Sequence, residues 1–167
     1  MAHRVPVLAE KEKTRLALEA LFSPESVAVV GASGNPEKLG HVVLKNIVEG
    51  GYQGQVYPVN PLADVVLGLR CYPSVSAVPG PVDVAVVVVP RDAVAEVIQD
   101  CVDKAVKAAV VITAGFREIG PEGVKAEKEI VRIAKEGGLR LLGPNCLGHI
   151  DTHSRLNATF AAGMPLT

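Results

Sequence analysis

The chain alternates between short apolar runs and longer stretches in which apolar residues recur at helical spacing. Val27–Val30, Val56–Val59, Val82–Val89, Ala109–Ile112 and Leu139–Leu142 are near-continuous apolar runs. Runs of this kind, rich in β-branched residues, predict strands covered on both faces. Between them, residues 38–49, 92–106 and 122–136 predict helices with one buried face. The first carries Leu39, Val42, Val43 and Ile47, and Gly50-Gly51 stops it. The second carries Val94, Val97, Ile98, Cys101, Val102 and Ala105. A charged amphipathic helix is expected over residues 9–22, with Leu16, Leu18, Leu21 and Phe22 as its apolar side and a flexible tip before it. Residues 62–81, rich in Pro and Gly, predict irregular structure with a short extended piece at Leu69–Tyr72.

Strand–helix alternation with short connections gives an α/β fold, a doubly wound parallel sheet. From Gly148 to Thr167 no period is visible, so this tail reads as an arm or the start of a truncated second domain. The expected division is therefore an N-terminal segment (1–22), a Rossmann-like domain (23–147) and a C-terminal arm (148–167). At 167 residues the chain is one domain with appendages. A chain of roughly 150 residues buries about two-thirds of its unfolded surface, enough for an independent core.

Composition removes several function classes. With a net charge of −1, interspersed signs and no Trp, the chain offers neither a basic stripe nor a stacking platform for nucleic acid. Cys71, Cys101 and Cys146 form no Cys-x-x-Cys pair and read as reduced thiols. No apolar segment is long enough to span a membrane and the N-terminus lacks a signal core, so a cytoplasmic protein is expected.

Ligands of open parallel sheets bind outside the carboxyl ends of the strands. Those ends are followed here by Gly31-Ala-Ser-Gly-Asn-Pro-Glu-Lys38, Asn60-Pro61, Pro90-Arg91-Asp92, Thr113-Ala-Gly-Phe-Arg117 and Gly143-Pro-Asn-Cys146. Gly31 and Gly34 allow close approach to an anion, Ser33 offers a hydroxyl, and Pro36 suits the first turn of the following helix. The N-terminus of that helix favours a phosphate. Lys38, Arg91 and Arg117 are cations that could neutralise it. Glycines at 31, 34 and 40 match neither the dinucleotide fingerprint nor the P-loop. Asn60 also stands where a dinucleotide site usually places a carboxylate for the ribose, which counts against an NAD-dependent oxidoreductase. Cys146 has only His149 as a local base and reads as structural filling. His149 and His153 have i, i+4 spacing, but a metal pair there would need a helix that Gly148 disfavours. No catalytic or metal-ligating set is expected; the rim reads as a binding site.

Several of these segments, in order, are similar to blocks of one family. Val29-Val-Gly-Ala-Ser-Gly34, Val56-Tyr-Pro-Val-Asn-Pro61, Val87-Val-Val-Pro90, Ile112-Thr-Ala-Gly-Phe116, Leu142-Gly-Pro-Asn-Cys-Leu-Gly148 and Leu156-Asn-Ala-Thr-Phe160 resemble the coenzyme A-binding domain of nucleoside-diphosphate-forming acyl-CoA synthetases. That family includes the ADP-forming acetyl-CoA synthetases and the α subunit of succinyl-CoA synthetase. The resemblance implies coenzyme A or acyl-CoA as the ligand, with Gly31, Ala32, Ser33, Gly34 and Lys38 near the nucleotide phosphates. It implies Asn60, Pro61, Val89, Pro90, Ala114 and Gly115 along the rest of the groove, and Gly143, Pro144 and Asn145 facing the thiol end. The family's reaction passes a phosphoryl group from an acyl phosphate to a histidine and on to ADP. That histidine and the ATP-grasp domain match nothing in these residues, so the chain alone is expected to be inactive and to depend on further synthetase domains or subunits. A standalone or regulatory CoA- or nucleotide-binding module, or the inactive synthetase-like region of an acetyltransferase, are the alternatives.

Overall fold

The computed structural model describes residues 7–161. Five parallel strands form its central sheet: β1 (Ser26–Val30), β2 (Gln55–Val59), β5 (Val84–Val87), β6 (Ala108–Val111) and β7 (Arg140–Leu142), in the order β2-β1-β5-β6-β7. Two antiparallel hairpins accompany it, β3 (Val65–Val66) with β4 (Leu69–Arg70), and β8 (Gly148–Asp151) with β9 (Leu156–Thr159). The helices are α1 (Val7–Phe22), α2 (Leu39–Glu49), α3 (Arg91–Asp103) and α4 (Pro121–Gly137).

Alternate residues of the valine-rich strands point to opposite faces, and each face has its own core. Val27, Val29, Val84, Val86, Ala108 and Val110 cluster with Val43, Leu44 and Ile47 of α2, with Leu21 of α1 and with Leu156 and Ala158 of β9. Ala28, Val30, Ala85, Val87, Ala109 and Val111 cluster with Val94, Ile98 and Cys101 of α3 and Ile130 and Ala134 of α4. This is the doubly wound parallel arrangement the periodicity predicts. At the opposite edge from the candidate rim, Asp83 is 7% exposed. It accepts from the Glu25 and Ser26 N–H groups at 2.9 and 3.2 Å and from Lys107 Nζ at 2.7 Å.

Several boundaries differ from expectation, each for a local reason. Pro36 is not in the first turn of α2. Asn35 Oδ1 accepts the Glu37 N–H at 3.0 Å and the Asn35 carbonyl accepts the Lys38 N–H, so residues 35–38 make a separate turn. Helix α3 ends at Asp103, not 106: Ala105 takes φ 58° and the Val106 N–H bonds the Cys101 carbonyl at 2.9 Å, a Schellman stop. In α1 the buried stripe is Ala17, Ala20 and Leu21, while Leu18 and Phe22 are exposed. The tail resolves into the β8–β9 hairpin packed over α2, with Leu156 and Ala158 fully buried. His149 lies on strand β8 and His153 in the hairpin turn, so the two share no helical face. The flexible tip expected ahead of α1 and residues 162–167 lie outside the described residues. No described helix is long and apolar enough to cross a membrane.

Candidate functional site

The strand order reverses direction between β1 and β5, and the crevice there is where an open α/β sheet binds its ligand. A groove of about 1010 Å³ opens at that point, at the top of the range of about 300–1,000 Å³ common for small-molecule sites. Gly31 and Ser33 after β1, Asn60 and Pro61 after β2, Val89 and Pro90 after β5, and Lys38 before α2 all line it.

The loop after β1 is shaped by backbone necessity. Gly31 has φ +95°, and a Cβ there would lie 2.8 Å from the Val88 carbonyl oxygen. Gly40, in the first turn of α2, packs so closely on the loop that a Cβ would stand 1.9 Å from the Gly31 carbonyl oxygen. The helix start is thereby drawn onto the β1 turn. The N–H groups of Ser33, Gly34, Leu39 and Gly40 have no acceptor among the described residues. Ser33, Leu39 and Gly40 line the groove. Uncommitted backbone donors with the positive end of a helix dipole form an anion cradle. Lys38 adds a cation with no acidic partner among the described residues.

The remaining loops are stitched to this one in strand order. Asn60 Nδ2 donates to the Ala32 carbonyl at 2.7 Å, and its Oδ1 accepts the Leu62 N–H at 2.9 Å. The Val88 N–H bonds the Val30 carbonyl at 2.9 Å, Thr113 Oγ1 bonds the Val89 carbonyl at 2.7 Å, and the Asn145 N–H bonds the Thr113 carbonyl at 3.0 Å. His41 is fixed by the same scheme, its Nδ1 3.0 Å from the Ser33 carbonyl oxygen. These bonds join all five strand ends into one rim.

Residues 25–151 match a family model described as a CoA binding domain. The chain belongs to the CoA-binding domain family. It is 50% identical over 144 residues to the acetate–CoA ligase [ADP-forming] II subunit alpha of Pyrococcus furiosus, covering 86% of this chain and 31% of that subunit. It is 47% identical over 148 residues to the acetate–CoA ligase [ADP-forming] I of Archaeoglobus fulgidus, covering 89% of this chain and 21% of that protein. Among solved structures, the dinucleotide forming acetyl-coenzyme A synthetase 1 of Ca. Korarchaeum cryptofilum, in complex with phosphate and ADP, superposes with a TM-score of 0.83. The sequence identity there is 53%, over 86% of this chain and 30% of that one. The chain thus spans about a third or less of the length of these relatives.

Other expected residues of this CoA-binding domain lie beside the groove. Ala32 is fully buried beneath the loop. Gly34 sits in the open, with nothing within 4 Å of where a Cβ would stand. Arg91 begins α3, its guanidinium 2.8 Å from Asp92 and 3.9 Å from Glu122, with its aliphatic stem over Gly115. Ala114 and Gly115 stand on the next loop along the rim, after β6. Gly143, Pro144 and Asn145 line a smaller hollow of about 370 Å³ with Arg117, Glu118 and Glu127. Arg117 pairs with Glu127 there. Glu118 accepts the Gly115 N–H at 2.5 Å, a bond that helps hold its carboxyl below the usual value. Cys146 Sγ lies 3.4 Å from the Val111 carbonyl oxygen, and burial pushes its thiol up, which disfavours the thiolate a nucleophile needs.

Sequence reasoning misses the groove's outer wall. Pro73 and Ser74 come from the stretch expected to be irregular, and Ala93, Val97 and Asp100 from a helix whose pattern marks only its buried face. No local pattern marks these residues as a wall, because a tertiary contact brings them together.

Proposed function

We propose that this domain holds coenzyme A along the rim, as the coenzyme-binding part of an ADP-forming acid–CoA ligase. The pyrophosphate sits on the free N–H groups of Ser33, Gly34, Leu39 and Gly40, with Lys38 as its counter-charge. Gly31 and the carbonyl clamp at Ala32 set the loop's shape. Asn60, Pro61, Val89 and Pro90 flank the coenzyme, and the pantetheine runs past Ala114 and Gly115 so that its thiol approaches Gly143, Pro144 and Asn145. Arg91 would have to leave Asp92 to reach a phosphate. Either free CoA or acyl-CoA suits such a groove, since the acyl group would project beyond the last loop.

The observation that carries this reading is the set of uncommitted amides at the head of an open groove at the sheet's switch point. The chain itself binds and orients the coenzyme; further domains or subunits supply the phosphohistidine and ATP-grasp chemistry. Titration calorimetry is expected to show one-site binding of CoA with Kd below about 0.1 mM, with NADH at least about tenfold weaker. Lys38→Ala is expected to weaken CoA about tenfold, as loss of one charge-assisted contact should. Absence of CoA binding at millimolar concentration would overturn the proposal.

A further inference from the structure

We infer that Asp100 is a positioning residue that sets the width of the groove where the coenzyme's nucleoside lies. This rests on the reading of the groove as a coenzyme A site and goes beyond it by assigning control of one end.

The groove has two unlike walls beyond the phosphate loop. On one side α3 presents Ala93 and Val97, with Glu96, Gln99, Asp100 and Asp103 also lining the groove; on the other stand Pro73 and Ser74. The latter belong to a strap, residues 73–78, that has no regular structure and takes the place of a helix over this part of the sheet. The strap is anchored beneath by Val75 and Val78, buried in the α3–α4 core. Its lateral position is fixed by α3. Asp100 Oδ2 accepts the Val75 N–H at 2.6 Å, and Oδ1 accepts the Ser76 N–H at 3.2 Å and the Ser76 hydroxyl. One turn further on, Lys104 Nζ donates to the Val78 carbonyl at 2.5 Å. A single carboxylate thus gathers two successive backbone donors, and these follow directly on the two wall residues.

Apolar surfaces of Pro73, Ala93 and Val97 suit the face of a flat aromatic ring, and the Glu96 and Asp103 carboxylates and the Gln99 amide on the same lining suit its polar edge. The proposed phosphate site uses Lys38 and the free amides of the β1 loop and α2, none of them on these two walls, so the ring placed here is the base attached to those phosphates. Asp100, itself part of the groove's lining, ties the strap to α3 and so sets the spacing of the two walls. Removing the carboxylate leaves the Val75 and Ser76 donors to solvent and frees the strap to move from α3, while the phosphate loop keeps its own bonds.

The test compares two halves of the coenzyme on the chain as it stands: 3′,5′-ADP, which carries the base, and 4′-phosphopantetheine, which does not. Asp100→Ala is expected to weaken 3′,5′-ADP about tenfold and 4′-phosphopantetheine less than about twofold. Asp100→Asn, which keeps one acceptor oxygen, should restore part of the loss. Thermal melts and amide exchange at Val75 and Ser76 report whether the variant is folded and whether the strap is loosened. Equal weakening of both fragments, or unchanged 3′,5′-ADP binding in a variant with faster strap exchange, overturns the inference while leaving coenzyme binding intact. Failure of the unmodified chain to bind CoA removes both.

Discussion

Gly40→Ala is expected to lower the stability of this domain by about 3 kcal/mol, the upper part of the range for overpacking a tight contact. It should also cost most of the affinity for coenzyme A. The new Cβ would lie 1.9 Å from the Gly31 carbonyl oxygen and 3.3 Å from the Ala32 Cα. Those are backbone atoms, so no rotamer change relieves the clash; the start of α2 must move off the β1 loop. The same displacement spreads the amides that make the anion cradle. Gly34→Ala is the control for stability alone, because open space surrounds it and a surface change of that kind usually stays within about 0.5 kcal/mol. Denaturant melts of the two variants, side by side, and a CoA titration of Gly40→Ala against the unmodified chain check the expectation. Equal stability and equal affinity in Gly40→Ala would show that the helix does not need its close seat.

Asp83→Ala is expected to remove about 2–3 kcal/mol, by leaving buried donors unsatisfied. Burial alone would push the Asp83 carboxyl up. Lys107 and the Glu25 and Ser26 N–H groups outweigh it and hold the group below its ordinary value. Because the folded value is depressed, its stabilisation is present above the unfolded carboxyl value of about 3.9 and is lost as pH falls through the folded one. Lys107 is half-exposed, so only part of the Coulomb attraction survives solvent screening. The unmodified chain should therefore lose stability below about pH 4 more steeply than Asp83→Ala. Urea midpoints at pH 7, 4 and 3 test this; parallel pH profiles would refute the assignment.

The sheet is legible in the sequence because its strands are valine runs that no amphipathic helix would tolerate, and the three crossover helices because each shows a clear stripe. Val82–Val89 reads as one strand, yet only Val84–Val87 pairs as such, and Val88 and Val89 line the groove. Hydrophobicity does not distinguish a strand's end from a ligand wall made of the same residue. The glycine loop after β1 can be read from Gly31, Ser33 and Lys38, but the role of Gly40 cannot, since its contact is with backbone nine positions earlier. Asn60 stands out in the sequence for what it lacks, a charge; in the structure its amide is a brace between two loops. The extended piece expected at Leu69–Tyr72 holds β4 (Leu69–Arg70), but its pairing with β3, and the whole β8–β9 hairpin, show no alternation because the strands are too short. In the first, the reversal uses Leu67 at φ 49° ahead of Gly68, where Asn would have announced the turn.

The β8–β9 hairpin has a bearing on how the domain is made. The hairpin packs beside helix α2 on the same face of the sheet, and Asn46 Nδ2 donates to the Thr159 carbonyl at 2.8 Å across 113 positions of sequence. On a ribosome, synthesis at about 5–20 residues per second delivers the helix many seconds before the segment that packs on its flank. A nascent chain halted before residue 148 would carry the whole glycine loop after β1 and still expose the apolar flank of that helix. The seating of that helix, and with it of the β1 loop it packs on, is thus tied to a segment more than a hundred positions later in the chain.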